Sequence, residues 1–144
     1  MELKRIAPIL AIMAMMCVFV VSMQSASAAN TELKVYNYDQ YDPPGAELGK
    51  DLYIKKGQYL DIAASIHVDG GKPQWFRWVH YYVYNSNGYQ IVNEERNSGF
   101  GGIARCCINS KEWEPGNYKL CVTYWGNNND NYPRADKEVM VHIV

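Results

Sequence analysis

Beyond residue 29 the chain alternates apolar and polar side chains with a period near two. No segment there carries the 3.6-residue period of an amphipathic helix. The clearest case is 58–68, where Leu60, Ile62, Ala64, Ile66 and Val68 share one face. Tyr59, Asp61, Ala63, Ser65 and His67 share the other, so the segment reads as a half-buried strand. Segment 33–38 alternates in the same way, and 51–55 is a shorter strand stopped by Lys56 and Gly57. Turn residues punctuate the intervals, with Asp42-Pro43-Pro44-Gly45 after the first strand and Asp69-Gly70-Gly71-Lys72-Pro73 after the third.

Segment 75–84, WFRWVHYYVY, carries apolar or aromatic groups on both faces. That predicts a central strand with one face in the core and the other under a loop or a partner. Asn85-Ser86-Asn87-Gly88 predicts a hairpin turn, and 89–92 returns from it. Segment 94–102, EERNSGFGG, is polar and glycine-rich, and is expected to move unless something holds it. Strands at 103–108, at 118–125 after the Pro115-Gly116 turn, and at 138–144 complete the chain. About seven to eight strands, with turns about every eight to twelve residues, predict an all-β sandwich or barrel in one domain.

Within 118–125, Tyr118, Leu120, Val122 and Tyr124 point one way and Lys119, Cys121, Thr123 and Trp125 the other. Tyr118 follows a Pro-Gly turn directly, so its hydroxyl can reach back to the loop backbone, the pinning device of Greek-key sandwiches called a tyrosine corner. Leu120 takes the core position two residues later. Cys121 falls on the outer face, and Trp78 or Trp75 is expected to fill the core.

The C-terminal segment GNYKLCVTYWGNNNDNYPRADKEVMVHI resembles the last two strands of immunoglobulin-like repeat domains in bacterial and archaeal surface proteins, adhesins among them. Those repeats end in a turn, a Tyr, an alternating strand and then Tyr-x-Gly-Asp-x-Asn-Tyr. Tyr124-Trp125-Gly126-Asn127 and Asn131-Tyr132 follow that pattern loosely, with Asn128-Asn129-Asp130 inserted and Asn in place of Asp. The resemblance covers about a quarter of the chain by motif. It implies an immunoglobulin-like Greek-key β-sandwich, and a structural or adhesive role. A single domain with no internal repeat departs from the tandem arrangement of that family.

The first 28 residues follow a different rule. Lys4 and Arg5 precede an apolar run from Ile6 to Val21, and the small residues up to Ala28 follow. That order predicts a cleaved signal peptide over 1–28 and a single mature domain over 29–144. The run is shorter than the roughly 20 residues a spanning helix needs, and Pro8 interrupts it. The expected location is secreted or extracellular surface, or periplasm if the host has an outer membrane, with no membrane contact after cleavage. The 14 basic and 15 acidic residues fall to 12 and 14 without Glu2, Lys4 and Arg5, a net charge of about −2. Charges are scattered, with no basic stripe of the kind nucleic acid requires.

Export removes Cys17 and leaves Cys106, Cys107 and Cys121. Thiols outside the cell tend to pair. Adjacent residues on a strand face opposite sides, so only one of Cys106 and Cys107 is expected to bridge to Cys121. Such a bridge would contribute about 3 kcal/mol by loop closure. An odd thiol is then left for a disulfide-linked dimer. Paired CxxC knuckles for zinc are absent.

His67, His80 and His142 are the only bases a thiol enzyme could use, and no spacing ties one to a cysteine. The GFGG stretch lacks the Lys and Ser or Thr of a phosphate loop. The chain therefore reads as non-catalytic, with no cofactor. The 12 Tyr and 4 Trp exceed what one small core holds, so some rings should be exposed for binding. Trp113, Trp125, Tyr132 and Tyr89 are the chosen candidates; Tyr36, Tyr38, Tyr41, Tyr59 and Tyr81 or Tyr82 are weaker ones. The expected function is a secreted or cell-surface binding or adhesion module with a protein or glycan partner. The alternatives are a carbohydrate-binding module, or an inhibitor or toxin-like protein acting through 94–102. Residues 127–131 read as a structured Asn-rich loop, with calcium the less favoured use.

Overall fold

Residues Leu60–Val68 form a strand, β4, because every second side chain there is an aliphatic group that can leave water only on one side of a sheet. Leu60, Ile62, Ala64 and Ile66 are fully buried. The structure, a computed structural model, describes residues 30–75, 78–126 and 133–144. The predicted signal peptide, the Asn-rich loop and Tyr132 lie outside the described residues.

In chain order the strands are β1 (Thr31–Asn37), β2 (Ala46–Glu47), β3 (Asp51–Ile54), β4 (Leu60–Val68) and β5 (Pro73–Gln74). They continue with β6 (Val79–Tyr84), β7 (Gln90–Arg96), β8 (Ile103–Ile108), β9 (Gly116–Tyr124) and β10 (Ala135–Ile143). Among the described residues these are eight strands of four residues or more and two two-residue pieces. They make two five-stranded sheets. The first runs β2-β1-β4, with β5 and β8 both on the far side of β4, and the second runs β3-β10-β9-β6-β7. All pairings are antiparallel except β3 with β10. The chain crosses between the sheets from β2 to β3, from β3 to β4, from β5 to β6, from β7 to β8, and from β8 to β9. The result is an all-β, sandwich-like fold.

One continuous core joins the sheets. Val35, Ile62 and Ala104 on the first meet Val79, Tyr81, Leu120, Val122 and Val139 on the second. Each aliphatic side chain so buried stabilises the fold by about 1.5–3 kcal/mol. Among the described residues the core is drawn from positions between Leu33 and Ile143. Tyr81 adds a pin between the sheets: its buried hydroxyl donates to the Ala104 carbonyl at 2.6 Å.

The outer face of the first sheet is covered by its own side chains. Tyr36 lies over Ala63 and Ser65, which are fully buried although they point away from the core. Its hydroxyl shares a hydrogen bond with Ser65 Oγ at 2.9 Å, and Ser65 Oγ lies 2.8 Å from His67 Nε2. Arg105 grips Asp61 through two hydrogen bonds of 2.9 and 2.6 Å and lies over the Tyr38 ring.

The two ends of the sandwich differ. At one end the β8–β9 connection is tied down: Ser110 donates to the Gln58 carbonyl at 2.7 Å, and Trp113 stacks on Tyr118 with ring centroids 4.9 Å apart. Tyr118 donates its hydroxyl to the Glu114 carbonyl at 2.8 Å, and Leu120 is fully buried. The opposite end collects the β4–β5 turn, the start of β6 and the ends of β7 and β9.

Three expectations are corrected. Among the described residues there is no disulfide: Cys106, Cys107 and Cys121 are all free thiols. Cys106 points into the core from the first sheet, Cys107 points out of that sheet, and Cys121 points out of the second sheet, away from both. The predicted disulfide-linked dimer falls with it, because the odd thiol was to be what remained after an internal pair formed. Trp78 is not core filler. It is 51% exposed and lies just before β6, which begins at Val79.

Candidate functional site

The outward side chains of the second sheet lie in rows set by strand register. One row runs Asp136, Thr123, His80, Glu95. The next runs Glu138, Cys121, Tyr82, Asn93, and the third runs Met140, Lys119, Tyr84, Gln90. Alternation along β6 explains why His80, Tyr82 and Tyr84 face out while Val79, Tyr81 and Val83 face in.

The first row is ordered by charge-assisted contacts. Thr123 donates to Asp136 Oδ1 at 2.8 Å, and Arg134 donates to both Asp136 oxygens at 3.1 and 3.2 Å. Desolvation pushes the Asp136 carboxyl up, but the hydrogen bonds from Arg134 and Thr123, with the Arg134 charge, outweigh it and hold the group below its usual range. Arg134 lies 4.1 Å over the Trp125 ring, and His80 meets that ring edge-on at 6.4 Å. His80 Nε2 lies 3.0 Å from Glu95.

Two open concavities follow these rows. One, of about 540 Å³, is lined by Tyr82, Tyr84, Cys121, Thr123, Trp125, Arg134 and Asp136, with Lys137 and Glu138. The other, of about 530 Å³, continues past Tyr84 to Asn117, Lys119, Met140 and the Asn85–Gly88 turn.

The tryptophan-bearing end adjoins the first concavity. Trp78 precedes Val79 and Trp125 follows Tyr124, and Val79 and Tyr124 are opposite one another in the sheet. The two indoles therefore leave the same end of adjacent strands. Trp75 sits three residues before Trp78, just past β5, and the three are 57%, 51% and 52% exposed in chain order. The Trp78 backbone is left-handed, with φ 61°. Its N–H donates to Asn97 Oδ1 at 3.1 Å.

The sequence candidates are not brought together. Trp125 is at this end, whereas Tyr89 is exposed beyond the Asn85–Gly88 turn at the far end. Trp113 is corrected from an exposed ring to one packed against the core. Tyr36 and Tyr81 are buried. Segment 94–102 is held more closely than expected. Glu94 to Arg96 belong to β7, Ser98 is buried, and a tight turn at Phe100–Gly102 leads into β8. A Cβ on Gly102 would meet the Gln74 carbonyl at 2.8 Å, so that turn lies directly against β5. Trp78 was expected in the core and Tyr82 was only a weaker candidate, yet both lie on the outside of this sheet or at its end. Trp78 gave no separate signal, because a tryptophan within an apolar and aromatic run reads as core.

Cys106 and Cys121 are poor nucleophiles where they sit. Desolvation pushes Cys106 up to about 11, and desolvation together with the Glu138 charge raises Cys121. His67 Nδ1 lies 2.8 Å from the Gly71 carbonyl, and His142 lies 2.8 Å from both Asn117 and Asp51. Among the described residues no group of three His, Cys, Asp or Glu side chains is arranged to hold a metal ion. The Ser65–His67 contact has the geometry of a nucleophile and base, but Ser65 is fully buried and a substrate has no route to it. No protein-family model matches the chain, and no curated protein matches it significantly.

Proposed function

We propose that the chain is an exported, non-catalytic binding module with an immunoglobulin-like Greek-key fold. In this reading it holds a protein partner at the end that bears Trp75, Trp78 and Trp125. The strand order supports the immunoglobulin-like assignment: β1, β4 and β8 face β3, β10, β9, β6 and β7, with crossovers after β2, β3, β5, β7 and β8. The Tyr118–Glu114 hydrogen bond at the start of β9 supports it as well. Export rests on the basic, apolar and small-residue order of the first 28 residues.

Trp78 carries the proposal for binding. A bulky residue at positive φ costs about 1–2 kcal/mol, and an exposed indole recovers little of that by burial. Two costs meet at one residue that the core does not use, and strain of this kind collects at functional sites. Large exposed indoles are the usual anchors of protein interfaces. The test is saturable binding of labelled 30–144 domain to a surface preparation of the source cells. Trp78→Ala and Trp125→Ala should each weaken it about tenfold. Tyr41→Ala, in the loop between β1 and β2, should leave it unchanged. Undiminished binding by both tryptophan variants rejects this surface.

A further inference from the structure

The two concavities on the outer face of the second sheet share Tyr84 and form one trough. It follows β9 from Asn117 to Trp125, about 27 Å at roughly 3.4 Å per residue. We infer that this trough is a binding site for a neutral, linear oligosaccharide. The inference uses Trp125 as an end wall but does not depend on the tryptophan end holding a protein.

Three features select this ligand class. First, the site is long and open rather than closed, so it suits a segment of a polymer better than a compact metabolite, which pockets usually enclose. Second, its charges alternate in sign. Lys119, Arg134 and Lys137 stand among Asp136 and Glu138, and Arg134 is already paired with Asp136. No one-sign field is left to draw in nucleic acid or another charged polymer. Third, the floor between the rings is polar. Thr123 and Lys119 stand on either side of Cys121 along β9, where a protein interface would place its apolar core. A sugar chain offers apolar C–H faces rimmed by hydroxyls. Tyr82 and Tyr84 can meet the faces, while Thr123, Glu138 and Lys119 can exchange hydrogen bonds with the rim.

Glu138 is the sharpest probe of this role. It is exposed, it projects beside Cys121 and Tyr82, and it takes no part in the core. The experiment is an amide-shift titration of nitrogen-15-labelled 30–144 domain with cellohexaose, chitohexaose and mannohexaose. A heparin hexasaccharide serves as the charged comparison. One of the neutral hexasaccharides should give saturable shifts centred on residues 82, 84, 119, 121 and 123, and bind about tenfold more tightly than its disaccharide. Tyr84→Ala and Glu138→Ala should each weaken it about tenfold, with Tyr41→Ala unchanged. If Tyr84→Ala does not fold, Glu138→Ala alone decides. The inference is overturned if no neutral hexasaccharide shifts these residues at concentrations on the order of 10 mM. It is equally overturned if heparin alone binds, or if the shifts map only to the ends of the sandwich. Loss of cell-surface binding in Trp78→Ala with intact sugar binding would separate the two surfaces.

Discussion

The backbone N–H of Trp78 and the side-chain oxygen of Asn97 meet at 3.1 Å across the strand ends of β6 and β7. That bond helps hold an exposed tryptophan in a left-handed conformation that few L-residues adopt. A position kept for stability should be harmed by losing its side chain, and this one should not. Trp78→Gly is expected to leave the urea midpoint unchanged or to raise stability by about 1 kcal/mol, because glycine takes positive φ without a Cβ clash. Cell-surface binding by the same variant should fall. A loss of more than about 2 kcal/mol would assign Trp78 to the fold instead.

Tyr118 gives the opposite case, a ring whose hydroxyl serves structure. It stacks on Trp113 and donates to the Glu114 carbonyl, closing the β8–β9 connection against the start of β9. Tyr118→Phe keeps the stack and removes only the hydrogen bond. The expected loss is about 1 kcal/mol, read as a lower urea midpoint at an unchanged slope. Binding at the other end of the sandwich should not change. An unaltered midpoint would show that the hydroxyl exchanges its bond for water at no net cost.

These two aromatics show where sequence reading reaches and where it stops. Tyr118 was legible because its role is local: a turn, a tyrosine and an alternating strand lie within a few residues. The inward face of β4 was legible for the same reason, since period two is written in consecutive positions. The outward face of β4 was not. Ala63 and Ser65 are buried by Tyr36, which lies on a strand nearly thirty residues away, and register between distant strands is not visible in either segment. The cysteines failed on the same ground. Their spacing allowed a bridge, but the crossover after β8 puts Cys121 on the other sheet, facing outward. Trp78 was misread because burial is the normal fate of an indole in an apolar run. The trough was invisible because it combines residues from β6, β9 and β10 that meet only through pairing.

Gly45 makes a backbone prediction. It closes the turn before β2 at φ 98°, and a Cβ there would lie 1.9 Å from the Asn37 carbonyl oxygen. The obstacle is backbone at the end of β1, so it cannot rotate away. Gly45→Ala should destabilise by about 2–4 kcal/mol, since it meets both the φ penalty and the clash. Gly57→Ala is the comparison: it also has positive φ but open space around it, and should lose only about 1 kcal/mol. Thermal melts of the two variants side by side separate the clash from the conformational penalty. Equal losses would mean that the turn relaxes around the new methyl group.

Burial of Cys106 predicts a loss of stability at alkaline pH. Burial raises Cys106 from 9.0 to about 11, so the native state holds its proton more tightly than the unfolded chain does. Below pH 9 both states are protonated and the contribution is fully present. Between about 9 and 11 the unfolded chain ionises first and stability falls, by roughly 2–3 kcal/mol in all for this one group. Above that, both states are ionised and its contribution is lost. Cys121 is raised in the same direction by burial and by Glu138, and adds to the decline. Tyr81 is raised by burial too, and its share of the loss begins about one pH unit later, near the ordinary value of 10.0 for a phenol. Urea midpoints measured from pH 8 to 11 should therefore bend downward near 9 and steepen past 10. Cys106→Val keeps an apolar group of similar size in the core but cannot ionise. It should flatten the first part of the curve and leave the steepening above pH 10. A first bend of unchanged slope in that variant would place the titrating group elsewhere in the chain.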